Sequence, residues 1–320
     1  MATTPRKKTY AKKTREKRAK AGWGLPKINL RTLFYGTTFA GGFGGFGWLT
    51  GCYNQVSEGA ANLKNKTEQV IGNANKNGRQ DNDKPSQDDN SPELPAIPKK
   101  DRDNVVKHKY YTLLYNEKHE QAQWVAYKLE KKLLNGVAKR KDNFRPDPDV
   151  PTQSATPADY RDSGYDRGHI APAGDFKISA EAMSETFFMS NMSPQLHVFN
   201  AGIWEQLESK VRDWAQNRGT VYVVAGPLLQ DGLPTIGKAN KVSVPKEYFK
   251  VVLDPEKKQM IGFIMQNRQS FKQVPTYALT VDEIEKRTGL DFFPYLPDSI
   301  EDKLESQVKI DDWFFDKKKK

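Results

Sequence analysis

The chain has 320 residues, 37% of them apolar and 11% aromatic, which is enough for one large or two small packed domains and excludes wholesale disorder. Its formal charge is +11, but residues 1–31 carry eleven Lys/Arg against one Glu, and the remainder is nearly balanced at 40 against 39. The basicity therefore belongs to a tail, and any phosphate-binding surface on the folded body must be a local patch. Cys52 is the only cysteine, which excludes an intrachain disulfide and a multi-cysteine zinc site.

Residues 1–31, with Arg6-Lys7-Lys8, Lys12-Lys13 and Lys17-Arg18, read as an unstructured basic segment, either a cytoplasmic tail or the leading region of an export signal. From Thr32 to Ser57 there is no charge, and Leu33, Phe34, Tyr35, Phe39, Phe43, Phe46, Trp48 and Leu49 alternate with seven glycines. That length can span a hydrocarbon core, and the basic flank orients it with the N-terminus inside and all that follows outside. Within it, Leu49-Thr50-Gly51-Cys52 resembles a lipoprotein processing site, so the expected membrane contact is either an uncleaved anchor over 32–57 or a lipid on Cys52. Either places the body outside the cytoplasmic membrane, in the periplasm or the extracellular space; release after cleavage is a further alternative. Residues 58–103 are rich in Asn, Asp, Lys, Gln, Ser and Pro and read as a solvated spacer.

The folded body is expected over 104–316, with a basic end at 317–320. Tyr110–Tyr115 and Trp124–Leu129 have strand composition and flank a turn at Asn116-Glu117-Lys118-His119. A polar loop with several prolines follows from Lys139 to about Ser163. Trp204, Leu207, Val211 and Trp214 recur at helical spacing and predict a helix from Phe199 to about Asn217. Thr220–Ala225, Phe249–Leu253 and Met260–Met265 read as strands. Thr280-Val281-Asp282-Glu283 predicts a capped helix start, with Gly289 as its stop. Strands and helices alternate irregularly, so the fold class is α+β with a mixed sheet, and a doubly wound sheet is disfavoured. Two phosphate-loop patterns are rejected. Gly42–Gly47 lies inside the uncharged segment without a preceding strand, and Gly232–Lys238 is followed by Ala239 where a hydroxyl must hold magnesium.

The chemistry concentrates in Asp166-Arg167-Gly168-His169, Asn191, Asn200 and Glu208. One imidazole, a fixed positive charge, two amides and a carboxylate are what metal-assisted hydrolysis of a phosphodiester needs. Neutral imidazole is a suitable base near neutral pH. Asn200 and Glu208 are eight residues apart, a little over two helical turns, so both can face one site. A single neutral amide oxygen holds a cation loosely and leaves room for water and phosphate oxygens, which suits Mg²⁺ or Mn²⁺. Glu208 could orient water around such a cation. Taken singly, each residue has a structural alternative: Asn200 a helix start, Glu208 a surface carboxylate, His169 a turn residue, Arg167 an ion pair with Asp166. His108 and His119 are given no chemistry, and His197 is read as packing or polar support.

The segment from Tyr160 through Asp166-Arg167-Gly168-His169-Ile170-Ala171-Pro172, then Asn191-Met192-Ser193-Pro194-Gln195, then Asn200 with Trp204, Leu207 and Glu208, resembles the DNA/RNA non-specific endonucleases, a family that includes secreted bacterial nucleases and mitochondrial endonuclease G. Gly226-Pro227-Leu228 and Val281 to Leu290 extend the likeness, which covers roughly 107–297; nothing before residue 100 shares it. The resemblance implies a ββα-metal (His-Me finger) core inside a larger sheet. It implies His169 as general base, Asn200 as the sole direct protein ligand of a Mg²⁺ or Mn²⁺ ion, Glu208 as a carboxylate just outside the ligand set, and Asn191 with Gln195 as polar supports. It also implies an upstream arginine on the phosphate. Arg140 is the better candidate, Arg145 the runner-up, and Arg167 adds charge. The implied reaction is hydrolysis of DNA and RNA to 5′-phosphate products. The rival reading is an envelope module that binds nucleic acid without cutting it, and a third is a phosphodiesterase for small diesters. A homodimer and a protein inhibitor are further partners left open at this level.

Overall fold

The computed structural model describes residues 91–314. The basic segment 1–31, the uncharged segment 32–57 with Cys52, the rejected Gly42–Gly47 pattern, most of the spacer and the 317–320 end lie outside these residues. Among the described residues no helix is long and apolar enough to cross a membrane.

One seven-stranded sheet organises the body. Its strands are β1 (Val105–Lys107), β2 (Thr112–Asn116), β3 (Gln121–Glu130), β6 (Thr220–Pro227), β9 (Glu247–Asp254), β10 (Gln259–Gln266) and β11 (Ala278–Leu279), in that spatial order; β4 (Asp166–His169) with β5 (Met192–Gln195), and β7 (Thr235–Ile236) with β8 (Val242–Ser243), form separate pairs. Every neighbouring pair is antiparallel. The central strands are buried on both faces, which explains their continuous apolar text. In β3, Val125, Tyr127 and Leu129 enter one core, while Trp124 and Ala126 enter another on the opposite face. This is the two-residue alternation of a strand.

Two short helices, α1 (Lys131–Leu134) and α2 (Ala180–Glu185), precede the helix α3 (Glu205–Arg218), which buries Leu207, Val211, Trp214 and Ala215 in the first core against Val221, Val223, Ile261 and Phe263. Trp214 Nε1 donates to the Trp313 carbonyl at 2.8 Å, which ties in the last short helix, Ile310–Phe314. The second core holds two C-terminal helices, Val281–Thr288 and Asp298–Glu305, through Val281, Ile284 and Leu304. Thr280 caps the former by accepting from the Glu283 N–H at 3.3 Å, and Gly289 ends it at φ 71°, the left-handed geometry that glycine adopts without a Cβ penalty.

Two differences from the sequence expectation have simple causes. Leu94 and Ile97 are buried in the second core, so the packed body starts before the expected boundary at 104; two isolated apolar residues in a polar segment carry no periodic signal. The helix expected from Phe199 is not uniform. Phe199–Trp204 is a π-helical turn with Gly202 outside helical geometry (φ −110°, ψ −114°), and regular α-helix begins at Glu205. Such wide turns concentrate at functional positions, and this one carries Asn200.

Candidate active site

The site is built on a separate antiparallel pair, β4 (Asp166–His169) and β5 (Met192–Gln195), followed by the π turn and α3: a β-β-α unit. Hydroxyls and amides fasten the pair to the main sheet. Ser193 Oγ donates to Gln121 Oε1 on β3 at 2.6 Å and lies 2.7 Å from the Tyr248 hydroxyl on β9. Tyr248 in turn donates to the Pro194 carbonyl at 2.9 Å. Asn267 accepts from the Leu196 N–H and donates to the Pro194 carbonyl. The chemistry thus rests on the most buried strands of the molecule.

Asn191 and Gly168 explain the motif's remaining letters. Asn191 is fully buried; its Oδ1 accepts from the Ala171 N–H at 2.9 Å, and its Nδ2 donates to the carbonyls of Ala171 and Thr186 at 2.9 and 2.8 Å. It is a clamp on the chain leaving His169, a positioning role. Asn191→Ala is expected to cost about 3 kcal/mol by orphaning buried backbone groups, read as a fall of roughly 10 °C in the unfolding midpoint. At Gly168 a Cβ would stand 2.2 Å from Oε1 of the buried Gln195 side chain. Gly168→Ala should therefore destabilise the pair by about 1–3 kcal/mol through overpacking, measurable as a lowered denaturant midpoint. The buried Gln195 amide has no hydrogen-bond partner among the described residues, so its contact with Gly168 is steric.

His169 closes β4 and is 8% exposed. Phe187 meets its ring edge-on at a 4.8 Å centroid distance, and Phe144 packs beside it at 5.8 Å. Burial, and then the positive charge of Arg140, hold its pKa down at about 3, with Asp142 opposing and Arg167 adding to the fall. The imidazole is therefore neutral at physiological pH, the form that accepts a proton. Its Nε2 is buried without a hydrogen-bond partner among the described residues, so none of them competes for that nitrogen.

Asn200 lies on the π turn, half-buried. Its Nδ2 donates to Asp166 Oδ2 at 2.9 Å, which fixes the amide orientation and leaves Oδ1, a hard neutral donor, without a hydrogen bond from the described residues. His197 Nδ1 lies 2.9 Å from the same Asp166 oxygen while its side chain is 77% exposed. His197 is thus polar support for Asp166 and is not packed. Asp166 and Asn200 line a cavity of about 530 Å³ with Arg140, Arg161, Tyr165 and Arg167, among others. Arg167 lies over the Phe144 ring at 4.2 Å and Arg140 over Phe187 at 5.1 Å. Both cations are thereby held against the two rings that enclose His169.

The structure separates the two upstream arginines. Arg140 lines the cavity. Arg145 instead donates to the carbonyls of Asn143 and Ser184, stacks on Phe188 at 4.0 Å and bridges to that residue through its backbone; it braces a loop. Arg167 does not pair with Asp166 in the way its structural alternative supposed, because that carboxylate serves Asn200 and His197.

Glu208 sits on α3 with its side chain 12% exposed and is not among the residues that line the cavity. Burial raises its pKa to about 7, against the lowering charges of Lys250 and Arg212 and with the raising charge of Asp175. Arg212 Nη1 lies 3.9 Å from Glu208 Oε2 and 3.2 Å from Asp175 Oδ1, and Asp175 also accepts from the Tyr127 hydroxyl at 2.9 Å. Lys250 on β9 is fully buried, with Nζ 4.6 Å from the Trp204 ring centre. Asp166 in its bonded role, Asp175, Arg212 and Lys250 were missed in the sequence. Only the four-residue step from Glu208 to Arg212 gave a readable sign.

The other histidines lie elsewhere. His119 is buried against Ser243 Oγ at 2.8 Å. His108 places Nε2 2.9 Å from Asp147 and Nδ1 3.6 Å from Asp149, stacked between Tyr111 and Phe188. Donor atoms of these three residues lie within 4.8 Å of one another, but the short bond to Asp147, which also accepts from Ser190, reads as a brace between β1 and the loop around residue 147.

A β-β-α unit that presents a neutral histidine from a strand and an asparagine from the following helical segment, above a mixed α+β body, is the architecture of the ββα-metal nucleases. Residues 94–299 match the model of the DNA/RNA non-specific endonuclease family, and the chain belongs to that family. It is 40% identical over 210 residues to mitochondrial nuclease EXOG of Danio rerio, covering 59% of this chain and 61% of that protein. It is 38% identical over 212 residues to a nuclease of Nostoc sp., covering 62% and 76%, and 34% identical over 200 residues to human mitochondrial endonuclease G, covering 58% and 67%. The chain spans about three fifths of the length of the EXOG relatives it matches. A solved EndoG/EndoGI inhibitory complex aligns with a TM-score of 0.57 at 32% identity, covering 61% of this chain and 87% of that one.

Proposed function

We propose that this chain is a metal-dependent, sugar-non-specific endonuclease that hydrolyses phosphodiester bonds of DNA and RNA, leaving 5′-phosphate and 3′-hydroxyl ends. The observation that carries the reading is the sharing of one cavity wall. Asp166 and Arg167 of the strand that ends in His169 line the same cavity as Asn200, and Asp166 orients the Asn200 amide.

The donor set fits one hard divalent cation, Mg²⁺ or Mn²⁺. Asn200 would hold it through Oδ1, with Glu208 as the nearby carboxylate that orients its hydration. When bound, that cation supplies neutralisation of charge on the phosphate and on the departing oxygen. The chain's own residues do the rest. His169, neutral because it is buried, takes a proton from water as that water attacks phosphorus in line; the P–O3′ bond opposite breaks, and the departing 3′ oxygen takes a proton from solvent. Arg140 and Arg167, held over the Phe187 and Phe144 rings, face the phosphate and stabilise the charge that accumulates in the transition state. Attack by water makes no use of a ribose 2′-hydroxyl, so both sugars are accepted.

The full chain, incubated with plasmid DNA or with RNA, is expected to degrade both in Mg²⁺ or Mn²⁺ and neither in EDTA. Binding without cleavage in both conditions would instead establish the non-catalytic module. Cleavage confined to a small diester would establish the third reading. The location that fits the uncharged 32–57 segment is extracytoplasmic, by an anchor or by a lipid on Cys52. A Cys52→Ser variant that still fractionates with membranes selects the anchor.

A further inference from the structure

We propose that the two C-terminal helices hold a second, structural cation of the calcium class, bound by Asp282, Glu285 and Glu305. Let the helix Val281–Thr288 be α4 and Asp298–Glu305 be α5. One carboxylate oxygen from each of the three residues lies within 4.8 Å of the others. Two oxygens bound to one calcium ion at 2.3–2.6 Å each are at most about 5 Å apart, so all three can share an ion without movement of the helices.

The second observation is Glu305 itself. It is 6% exposed, and its Oε1 is buried with no hydrogen-bond partner among the described residues. A carboxylate in that state is costly, and a cation is the partner that removes the cost. The charged groups that act most strongly on it are all acidic: Glu285, Glu301, Asp291 and Asp282. Glu285 has one oxygen committed to the Phe292 N–H at 2.7 Å, which holds its carboxylate in place. Asp282 is exposed and gives an ion its route in from solvent. Oxygen-only donors of full charge, with no imidazole or thiolate, select a hard ion, and a flexible three-carboxylate set suits Ca²⁺ better than the octahedral Mg²⁺. The ion would clamp α4 to α5 beside the second core, away from the chemistry of Asn200.

The test separates this site from the catalytic one by using Asn200→Ala as the background in the full chain. Calorimetric titration of the metal-free protein with CaCl₂ should show one binding event, and millimolar Ca²⁺ should raise the unfolding midpoint by roughly 5 °C. Adding Glu305→Gln should weaken Ca²⁺ binding at least tenfold and abolish the thermal shift, while the metal-free variant melts higher than its parent because repulsion is relieved. Asp282→Asn, at an exposed position that leaves folding intact, should weaken binding about tenfold and decides the matter if Glu305→Gln does not fold. No Ca²⁺ event in the background, or an unchanged Ca²⁺ response in Asp282→Asn or Glu305→Gln, overturns the proposal. Stabilisation by acid alone, with Ca²⁺ inert, would show that the carboxylates share a proton instead. Neither readout depends on cleavage of nucleic acid.

Discussion

His169→Ala is expected to lower the rate of plasmid cleavage by about 10²–10⁴-fold, the usual worth of a positioned general base, while circular dichroism and chromatographic behaviour stay those of the parent. The size of the effect follows from how completely the site has committed this ring. Its Nε2 is buried with no partner among the described residues, and its pKa of about 3 leaves essentially all of it neutral at working pH. Truncation opens a small void between Phe144 and Phe187, which costs stability without dismantling β4, because that strand is held by its pairing with β5. The sign of the pH effect on stability is also fixed. With a folded pKa below the unfolded 6.5, the unfolded chain binds more protons between about 3 and 6.5, so acidification through that window destabilises the parent. His169→Ala should lose that part of the acid sensitivity. Near-parental cleavage by the variant would remove the imidazole from the mechanism.

The second large effect is expected at Glu208. Because burial lifts this carboxyl to about 7, it becomes anionic only as pH rises through neutrality. Activity should therefore climb across that range, and the climb belongs to Glu208, since His169 is already neutral far below it. A cation beside the carboxylate favours its anionic form, so raising Mg²⁺ should move the limb to lower pH. Glu208→Gln is expected to cost about 10–100-fold in rate, the range typical of groups that orient a metal's surroundings, and to flatten the acid limb. A pH–rate profile at two Mg²⁺ concentrations checks both statements. A variant that keeps the parental limb would assign it to another group that acts on Glu208, such as Lys250, which burial pushes down, or Asp175, which burial pushes up.

The chemistry was more legible in the sequence than its surroundings, and the reason is range. Asp166 to His169 is one short strand, so its spacing carried its geometry; the eight-residue step from Asn200 to Glu208 crosses the π turn and Gly202, so helical arithmetic alone does not set those two on one face. The long β-branched run of β6 and the cap at Thr280 were legible for the same local reason. What depends on residues far apart in the chain was silent. Nothing near Lys250 says that a lysine between Phe249 and Val251 will be fully enclosed; its burial comes from a strand covered on both faces. Asp166 was read as a neighbour for Arg167, because its bond to Asn200 spans 34 positions. Arg140 and Arg145 could not be told apart until the fold showed one facing the cavity and the other spent on backbone carbonyls. Leu94 and Ile97 gave no pattern, because two residues do not make a period.

The seven-stranded sheet also acts as a partition. The β-β-α unit and the α3 helix pack on one of its faces, and the paired C-terminal helices pack on the other, each against its own set of side chains. Durability and turnover are consequently under separate control. Substitutions behind the sheet can lengthen the life of the folded molecule in a harsh medium while the catalytic layer keeps its geometry, and the catalytic layer can be retuned without loosening the rear.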